Sequence, residues 1–267
     1  IGAGGMGQVF LAEHGRLDRL AAIKVLSSKA INSPTALKRF QQEVKAAAKL
    51  AHANIVSTYD ASEQDGVHYL VMEYVKGADL SHHVRKTGPL TAAKAVHCML
   101  HAAEGLAHAH EIGIIHRDIK PSNILLTEED EVKILDMGLA RLDAHDEQAS
   151  LDEDLTQDGQ VIGTIAYMSP EQAKSTKNVD HRTDIYSLGC TLHFLLTGRP
   201  PYQGDTTVEK LIAHREDPIP SLREACDDVS PALDDVFQRM MGKSPDDRQQ
   251  SMRQLIWELT EGSSLEV

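Results

Sequence analysis

The sequence contains few cysteines, and no two of them are close together. Its 267 residues include three, Cys98, Cys190 and Cys226, which is an odd number with no C-x-x-C spacing. Disulfide frameworks and structural zinc sites are typically built from even sets of closely spaced cysteines. We therefore interpret the three as reduced core or surface thiols of a cytosolic protein.

Basic residues are scarce relative to acidic ones. Lysine and arginine total 27, and aspartate and glutamate total 40, which gives a formal net charge of -13. Recognition of nucleic-acid phosphates normally requires a basic face. We therefore exclude nucleic acid as a partner.

No apolar run in the sequence is long enough to cross a bilayer. The most apolar neighbourhood, "SLGCTLHFLLTG" at 187–198, is interrupted by His193, whereas a membrane helix needs about 20 apolar residues. We find no signal peptide and no membrane segment in the sequence. Because the chain begins abruptly at Ile1, we expect that upstream sequence is missing.

What the sequence does contain suits a packed domain. With 41% hydrophobic residues over this length, it can form one large domain or two lobes that share a cleft. Two strand-prone runs, 8–13 and 21–26, flank a turn-like segment and predict an antiparallel pair. Ser33 and Pro34 predict the start of a helix that ends near Ala51.

The rest of the chain divides into two more strands and a helical part. Residues 54–75 contain two strand candidates around a turn at Gly66. A long helix is expected at 91–113, capped by Thr91, and the acidic stretch 142–160 is expected to be a mobile loop. Further helices are expected near 184–197, 207–214, 230–241 and 251–261.

A glycine-rich stretch, "IGAGGMGQV", is the first candidate functional motif. Gly2, Gly4 and Gly7 stand in G-x-G-x-x-G spacing, and glycine lets backbone N–H groups approach phosphate oxygens closely. A dinucleotide-binding turn has the same spacing but opens a helix, whereas a strand-like run with Val9 follows here. On this motif alone, a phosphate-binding loop and a flexible glycine turn both stay open.

Lys24, in "AAIKVL", is the second candidate. A lysine that alternates out of the apolar face of its strand is ordinarily solvated. The functional alternative is a cation that contacts nucleotide phosphates and is held by a carboxylate. Glu43 is the natural partner, because it lies on the face of the first helix that should meet the sheet.

The stretch "IIHRDIKPSNILL" at 114–126 carries the strongest signal. Asp118, Lys120 and Asn123 lie close together between two apolar segments, which anchor the loop at both ends and favour function over accident. In a phosphoryl transfer, the carboxylate accepts the proton of the acceptor hydroxyl and the lysine stabilises the transferred phosphate, while the amide oxygen binds a metal.

Asp136 follows the apolar run "VKIL", 13 residues after Asn123. A hairpin that joins the two segments would place the two side chains next to each other. Each offers an oxygen, the ligand atom that Mg²⁺ prefers. The spacing therefore predicts a magnesium site.

These motifs resemble, in their order, those of the protein kinase family over almost the whole chain. The glycine loop and "YMSPEQA" at 167–173 are most similar to bacterial serine/threonine kinases of the eukaryotic type. The matching positions are Gly2, Gly4, Gly7, Val9, Ala22, Ile23, Lys24, Glu43, His116, Arg117, Asp118, Lys120, Asn123, Asp136, Gly138, Pro170 and Glu171.

The resemblance implies an α+β, bilobal protein-kinase fold with ATP in the cleft between the lobes. The kinase domain would span 1–262 and be truncated at its N-terminus. A small β-sheet N-lobe with one main helix would occupy 1–74, and a larger, mostly helical C-lobe would occupy 75–262. Residues 263–267 would form a short tail.

The resemblance also implies catalytic roles. Asp118 would be the catalytic base, Lys120 would neutralise the transferring charge, and Lys24 would contact the α- and β-phosphates while paired with Glu43. The metal ligands, for Mg²⁺ with Mn²⁺ as an alternative, would be Asn123 and Asp136.

A separate set of residues would bind the nucleotide. Met72 would be the gatekeeper, and Glu73 to Val75 would form the hinge whose backbone binds adenine. The full set that the resemblance implies is Gly2, Gly4, Gly7, Val9, Ala22, Lys24, Met72, Glu73, Val75 and Leu125.

Three further positions bear on the packing of the C-lobe and the cleft. Asp184 in "DIYSLG" resembles the aspartate that braces the catalytic loop, and Arg248 resembles the arginine that pairs with Glu171. Met137 stands where phenylalanine is usual between the aspartate and the glycine. Because methionine is apolar and unbranched, it can fill a similar pocket, and we expect tolerance of this change.

The implied activity is transfer of the γ-phosphate of ATP to Ser/Thr hydroxyls of protein substrates. Lys120 and the pair Gly163-Thr164 favour Ser/Thr over Tyr as the acceptor. Two alternatives are a pseudokinase scaffold and a small-molecule phosphotransferase. The first usually lacks Lys24, Asp118 or Asp136, and the second lacks the peptide platform of Gly163-Thr164 and Pro-Glu, so both are disfavoured.

Regulation and assembly follow from the resemblance alone. Arg117 beside Asp118 implies control by a phosphorylated residue of the activation segment, for which Ser150 and Thr156 are the candidates. Asp158 lies where some relatives carry a second phosphothreonine. We expect a cytoplasmic location, for the whole protein or as the cytosolic domain of a membrane-anchored one, and a homodimer through the N-lobe is the assembly that relatives suggest.

Overall fold

The computed structural model describes residues 1–4, 7–15, 18–27, 33–137, 165–174 and 179–264. Within these ranges, no helix combines the length and the apolar character needed to cross a membrane. The predicted acidic loop at 142–160, with Ser150, Thr156 and Asp158, lies outside the described residues, as does Gly163-Thr164.

A five-stranded antiparallel sheet forms the N-terminal part, in the order β1-β2-β3-β5-β4. Its strands are β1 Gly2–Gly4, β2 Gly7–His14, β3 Arg19–Leu26, β4 Thr58–Gln64 and β5 Val67–Glu73, and helix α1 spans Pro34–Ala47. The turn between β4 and β5 contains Gly66, with a φ of 78°, as the turn signal predicts. The expected strand pairs and the single helix are therefore confirmed.

Helix α1 begins where the sequence predicts and ends earlier. Ser33 caps it, since its side-chain oxygen accepts the N–H of Ala36 at 3.1 Å. The helix ends at Ala47, so the predicted end near Ala51 is wrong. After Ala47 the chain continues as a turn, in which Lys49 and Leu50 donate to the carbonyls of Ala46 and Ala47 at 3.1 and 3.0 Å, and Ile55 then forms a parallel bridge with Ile134.

The C-terminal part is mostly helical and carries a small second sheet. That sheet contains β6 Gly77–Asp79, β7 Ile124–Thr127 and β8 Val132–Ile134 in that order. The α-helices are α2 Leu80–Thr87, α3 Ala92–Glu111, α4 Pro170–Lys174, α5 Arg182–Thr197, α6 Thr207–Glu216, α7 Leu222–Ala225, α8 Pro231–Met240 and α9 Met252–Ser264, with 3₁₀ turns at Pro121–Asn123 and Pro245–Asp247.

Helices α3 and α5 form the centre of the larger core. Helix α5 is buried on every side along most of its length, which explains its weakly amphipathic and apolar sequence. Small residues on α3 allow close packing against it, and the fully buried ones are Ala95, Ala102, Ala103 and Ala109. A separate, smaller core lies between the N-terminal sheet and α1. Several of the predicted nucleotide-binding residues belong to this smaller core or pack against it.

Candidate active site

The glycine-rich loop lies at the tip of the β1–β2 hairpin. The two strands pair Gly2 with Val9 and Gly4 with Gly7. Gly7 has a φ of 146°, and a Cβ there would collide with the backbone carbonyl of Val25, so glycine is required at this position. Because a strand follows the loop, the dinucleotide-binding alternative, which needs a helix there, is excluded.

Five of the predicted nucleotide-binding residues belong to one apolar cluster or pack against it. Ala22 and Met72 are buried and pair across β3 and β5, and Val9, Val75 and Leu125 pack against them. Val9 lies opposite Lys24 in the ladder, so the cluster and the lysine share one face of the sheet. The structure thus brings these side chains together, and their contact with adenine stays a prediction.

Lys24 is only 6% exposed, so the ordinary interpretation of a solvated lysine is wrong. Its ammonium lies 2.8 Å from Oδ2 of Asp136, which supplies the countercharge that a desolvated cation needs. Glu43 is half-buried on α1, immediately before the buried Val44. The predicted pair between Lys24 and Glu43 stays a prediction.

The catalytic loop brings Asp118, Lys120 and Asn123 into direct contact. The Lys120 ammonium lies 2.8 Å from Oδ2 of Asp118. The Asn123 amide donates to the same oxygen at 3.0 Å and to the backbone carbonyl of Asp118 at 2.7 Å. Fully buried Ile119 anchors the loop between them. The two contacts to Oδ2 therefore restrict the orientation of the Asp118 carboxylate, as a general base requires.

Asp184 binds the backbone of the loop that carries Asp118, as the resemblance implies. Its two carboxylate oxygens accept the backbone N–H groups of His116 at 2.9 Å and Arg117 at 2.8 Å, and His110 Nε2 lies 2.8 Å away. Burial alone would raise the pKa of Asp184, but its bonds to His110 and His116 outweigh burial and hold this pKa below its usual range. These bonds support Arg117, whose φ of 69° is rare for a residue with a side chain.

His116 connects the catalytic loop to the strand that leads to Asp136. Its Nε2 lies 2.8 Å from the carbonyl of Leu135, and its Nδ1 accepts the N–H of Asp118 at 3.2 Å. Since a carbonyl can only accept, the proton is on Nε2. Met137 next to this strand is 5% exposed, so the methionine occupies a buried position as expected.

The predicted hairpin between the two candidate metal ligands is present. In it, β7 and β8 pair Ile124 with Ile134, and Leu135 donates its N–H to the carbonyl of Asn123 at 2.9 Å. This register places Asn123 next to the segment that carries Asp136. The described part of the chain contains no group of three His, Cys, Asp or Glu side chains arranged for a metal. One carboxylate and one amide nevertheless fit Mg²⁺, because this ion is usually held by one or two protein oxygens together with phosphates and water.

One ion pair near the hinge was not predicted from the sequence. Glu73 receives the ammonium of Lys133 at 2.9 Å and the N–H of Ser57 at 3.2 Å. The only sequence signal was the alternation of β8, in which Lys133 stands between two buried residues and must emerge on the opposite face. The side chain of Glu73 therefore links β5 to β8 through Lys133, and its hinge role stays a prediction.

Arg248 and Glu171 form the predicted pair in the C-terminal part. The guanidinium donates to the two carboxylate oxygens at 2.7 and 2.8 Å, and Arg248 is 1% exposed. Burial on its own would raise the pKa of Glu171, but the hydrogen bonds and charge of Arg248 outweigh it and hold that pKa below its usual range. This pair ties α4 to the segment that precedes α9.

The family model of the protein kinase domain matches residues 1–258. The chain belongs to the protein kinase domain family. The predicted bilobal α+β fold is thereby confirmed, because a solved kinase domain of Mycobacterium tuberculosis, PknI, superposes with a TM-score of 0.75 at 29% identity, over 98% of this chain and 93% of that one.

Bacterial serine/threonine protein kinases are similar to this kinase domain in sequence. PknB of Mycolicibacterium smegmatis is 41% identical over 260 residues, and PknB of Mycobacterium tuberculosis H37Rv is 41% identical over 261 residues. Each alignment covers 96% of this chain and 40% of the relative. The chain therefore spans about 40% of the length of the curated relatives that it matches.

Proposed function

We propose that this chain is an ATP-dependent protein serine/threonine kinase, which transfers the γ-phosphate of ATP to Ser/Thr hydroxyls of protein substrates. The observation that carries the proposal is the Asp118 carboxylate, which contacts Lys120 and Asn123 while Asp184 holds the loop from below. Phosphoryl transfer depends mainly on positioning and on charge stabilisation. A rigid base with an ammonium beside it supplies both.

Each cleft residue has a defined task in the proposed reaction. Asp118 accepts the proton of the attacking hydroxyl, and Lys120 stabilises the negative charge of the transferred group. Lys24 contacts the α- and β-phosphates, with Glu43 as its partner. Mg²⁺, which would be held by Asn123 and Asp136, neutralises phosphate charge when bound.

The nucleotide would lie between the glycine loop and the apolar cluster. Backbone N–H groups around Gly2, Gly4 and Gly7 bind phosphate oxygens, and Gly7 is the position where a side chain cannot fit. Val9, Ala22 and Leu125 sandwich adenine. Met72 is the gatekeeper, and the backbone from Glu73 to Val75 binds the adenine edge.

A protein acceptor is favoured over a small molecule by the segment opposite Asp118. Tyr167, Met168 and Gln172 line a small cavity together with Asp118 and Arg117, and Gln172 donates to the carbonyl of Arg117 at 2.8 Å. Peptide backbone can lie along such a segment with its hydroxyl at the base. The family resemblance at Lys120 and at Gly163-Thr164 supports Ser/Thr acceptors.

The proposal also covers regulation, the limits of the domain and assembly. Arg117 supports control by autophosphorylation of the activation segment at Thr156 or Ser150. The kinase domain is proposed to span 1–262, with the lobes meeting at 74/75. A cytoplasmic location and a homodimer through the N-lobe are supported by the family resemblance alone.

The test compares wild-type protein with Asp118→Asn, using radiolabelled γ-phosphate, casein as the acceptor and phosphoamino-acid analysis of the product. We expect wild type to label serine and threonine and the variant to lose most of this activity. Equal labelling by both would refute the role of Asp118. Labelling by neither would favour the pseudokinase scaffold.

A further inference from the structure

Three buried polar side chains and one half-buried lysine form a cluster close to residues 165–174, which we name the acceptor segment. His214 Nδ1 lies 2.9 Å from the Tyr186 hydroxyl, and the Lys243 ammonium donates to the Tyr202 hydroxyl at 2.8 Å. His214 and Tyr186 are fully buried, and Tyr202 is 4% exposed. We call these four side chains the buried relay. Buried polar groups are costly unless they are hydrogen-bonded, so their accumulation here calls for a function.

Lys243 fixes the position of His214. Its ammonium donates to the backbone carbonyl of His214 at 2.9 Å and lies 4.2 Å from the centre of the Tyr202 ring. His214 is in the last turn of α6, where backbone carbonyls lack helical partners and a cation is favourable. The lysine thus holds the end of α6 so that the imidazole points inward.

The other side of the relay supports the acceptor segment. Tyr186 stacks under Arg248, whose guanidinium carbon is 4.8 Å from the centre of the ring, and Arg248 binds Glu171 of that segment. The neighbouring Ser187 donates to the carbonyl of Tyr167 at 2.8 Å. The segment is therefore held at Tyr167 and at Glu171, and Ala166 lies just before the first of these contacts.

The imidazole of His214 is held in its neutral form. Burial, and then the charge of Lys243, lower the pKa of His214 to about 4, while the backbone of Ala166 opposes them. The neutral ring shares a hydrogen bond with the Tyr186 hydroxyl through Nδ1. Because a buried polar group without its partner is costly, this bond keeps the two side chains together.

We propose that His214 is a positioning residue for the protein acceptor: its hydrogen bond with the Tyr186 hydroxyl holds the ring that packs against Arg248, and Arg248 in turn sets the position of the acceptor segment through Glu171. This inference rests on the proposed kinase function. His214 does not touch the reacting atoms, so it acts on the affinity for the protein substrate and leaves nucleotide binding and the chemical step unchanged.

The test measures steady-state phosphorylation of casein by the full chain, wild type and His214→Phe. The expected result is a rise of about fivefold in KM for casein, the equivalent of one neutral hydrogen bond, with KM for ATP and kcat unchanged. His193→Phe is the matched control, because His193 is also a buried histidine, bonded to the carbonyl of Arg199 at 2.9 Å. We expect it to leave both KM values unchanged.

Tyr186→Phe is a second variant that removes only one hydroxyl and should shift KM for casein in the same direction. A KM for casein within twofold of wild type in both variants, or an equal rise for His193→Phe, overturns the proposal. Hydrogen exchange gives a readout independent of activity: the amide of Ala173, bonded to the carbonyl of Ser169 at 3.2 Å, should exchange faster in His214→Phe than in His193→Phe. If wild type transfers no phosphate, the kinase proposal fails, whereas unchanged exchange in His214→Phe refutes the positioning role by itself.

Discussion

Removing the guanidinium of Arg248 is expected to be among the most destabilising single changes in the C-lobe. Arg248 binds both oxygens of Glu171 and also donates to the carbonyls of Gly242 at 2.7 Å and Arg182 at 3.0 Å. Arg248→Met would leave a half-buried carboxylate and two backbone carbonyls without these donors. Loss of one partner of a buried pair costs about 3–5 kcal/mol, which corresponds to a fall in melting temperature of roughly 6–20 °C for a chain of this size.

The assay is thermal unfolding followed by circular dichroism, with two comparisons. Lys76→Ala breaks an ion pair with Glu128 in which both side chains are more than 60% exposed, and it should leave the melting temperature close to that of wild type. The double variant Arg248→Met/Glu171→Leu also removes the unpaired carboxylate of Glu171, so it should recover a large part of the lost melting temperature. If Arg248→Met has the melting temperature of wild type, or if the double variant melts at a lower temperature than Arg248→Met, the energetic argument is wrong.

The pair should also show a defined pH dependence. The folded-state pKa of Glu171 is lowered from 4.5, so the folded protein binds its proton less readily than the unfolded chain does. The contribution to stability is therefore complete above pH 4.5 and is lost as the pH falls through the lowered pKa. The difference between wild type and Arg248→Met should be largest near pH 8 and should shrink as the pH falls, because burial raises the pKa of Glu171 once Arg248 is gone.

Two substitutions and one labelling experiment test the cleft and its regulation. Gly7→Ala should raise KM for ATP by at least tenfold, because the new Cβ collides with the carbonyl of Val25 and deforms the phosphate-binding loop; an unchanged KM would contradict the assigned role of the loop. Met137→Phe should preserve or raise kcat, since phenylalanine fills the same buried position more rigidly, and a large loss would mean that the pocket has been misread. Incubation with ATP should label Thr156, as detected by phosphopeptide mapping, and an active sample without this label would rule Thr156 out as the regulatory site.

The sequence predicted those features of the fold that depend on local signals. Ser33 and Thr91 cap their helices as expected, the latter by accepting the N–H of Lys94, and Gly66 marks a real turn. Local propensity did not predict where α1 ends, because the bridge between Ile55 and Ile134 joins residues that are far apart in the chain. Tertiary contacts decide such boundaries.

The same difference between local and long-range signals holds for the candidate site. Asp118, Lys120 and Asn123 are close in sequence, and one rigid loop brings them into contact. Lys24 also contacts Asp136, 112 positions away, and the sequence did not suggest this contact. Spacing alone cannot predict contacts between residues so far apart in the chain, and the pair of Lys24 with Glu43 stays a prediction.

The most direct test of the central claim is a single-turnover measurement of phosphate transfer to casein at saturating ATP and Mg²⁺. Wild type is compared with Asp118→Asn and with Ser122→Ala, a change at an exposed position of the same loop. Loss of the general base should slow the transfer step by about 10²–10⁴-fold in Asp118→Asn, while Ser122→Ala reacts at the wild-type rate. Transfer by Asp118→Asn at a rate within tenfold of wild type would contradict the account.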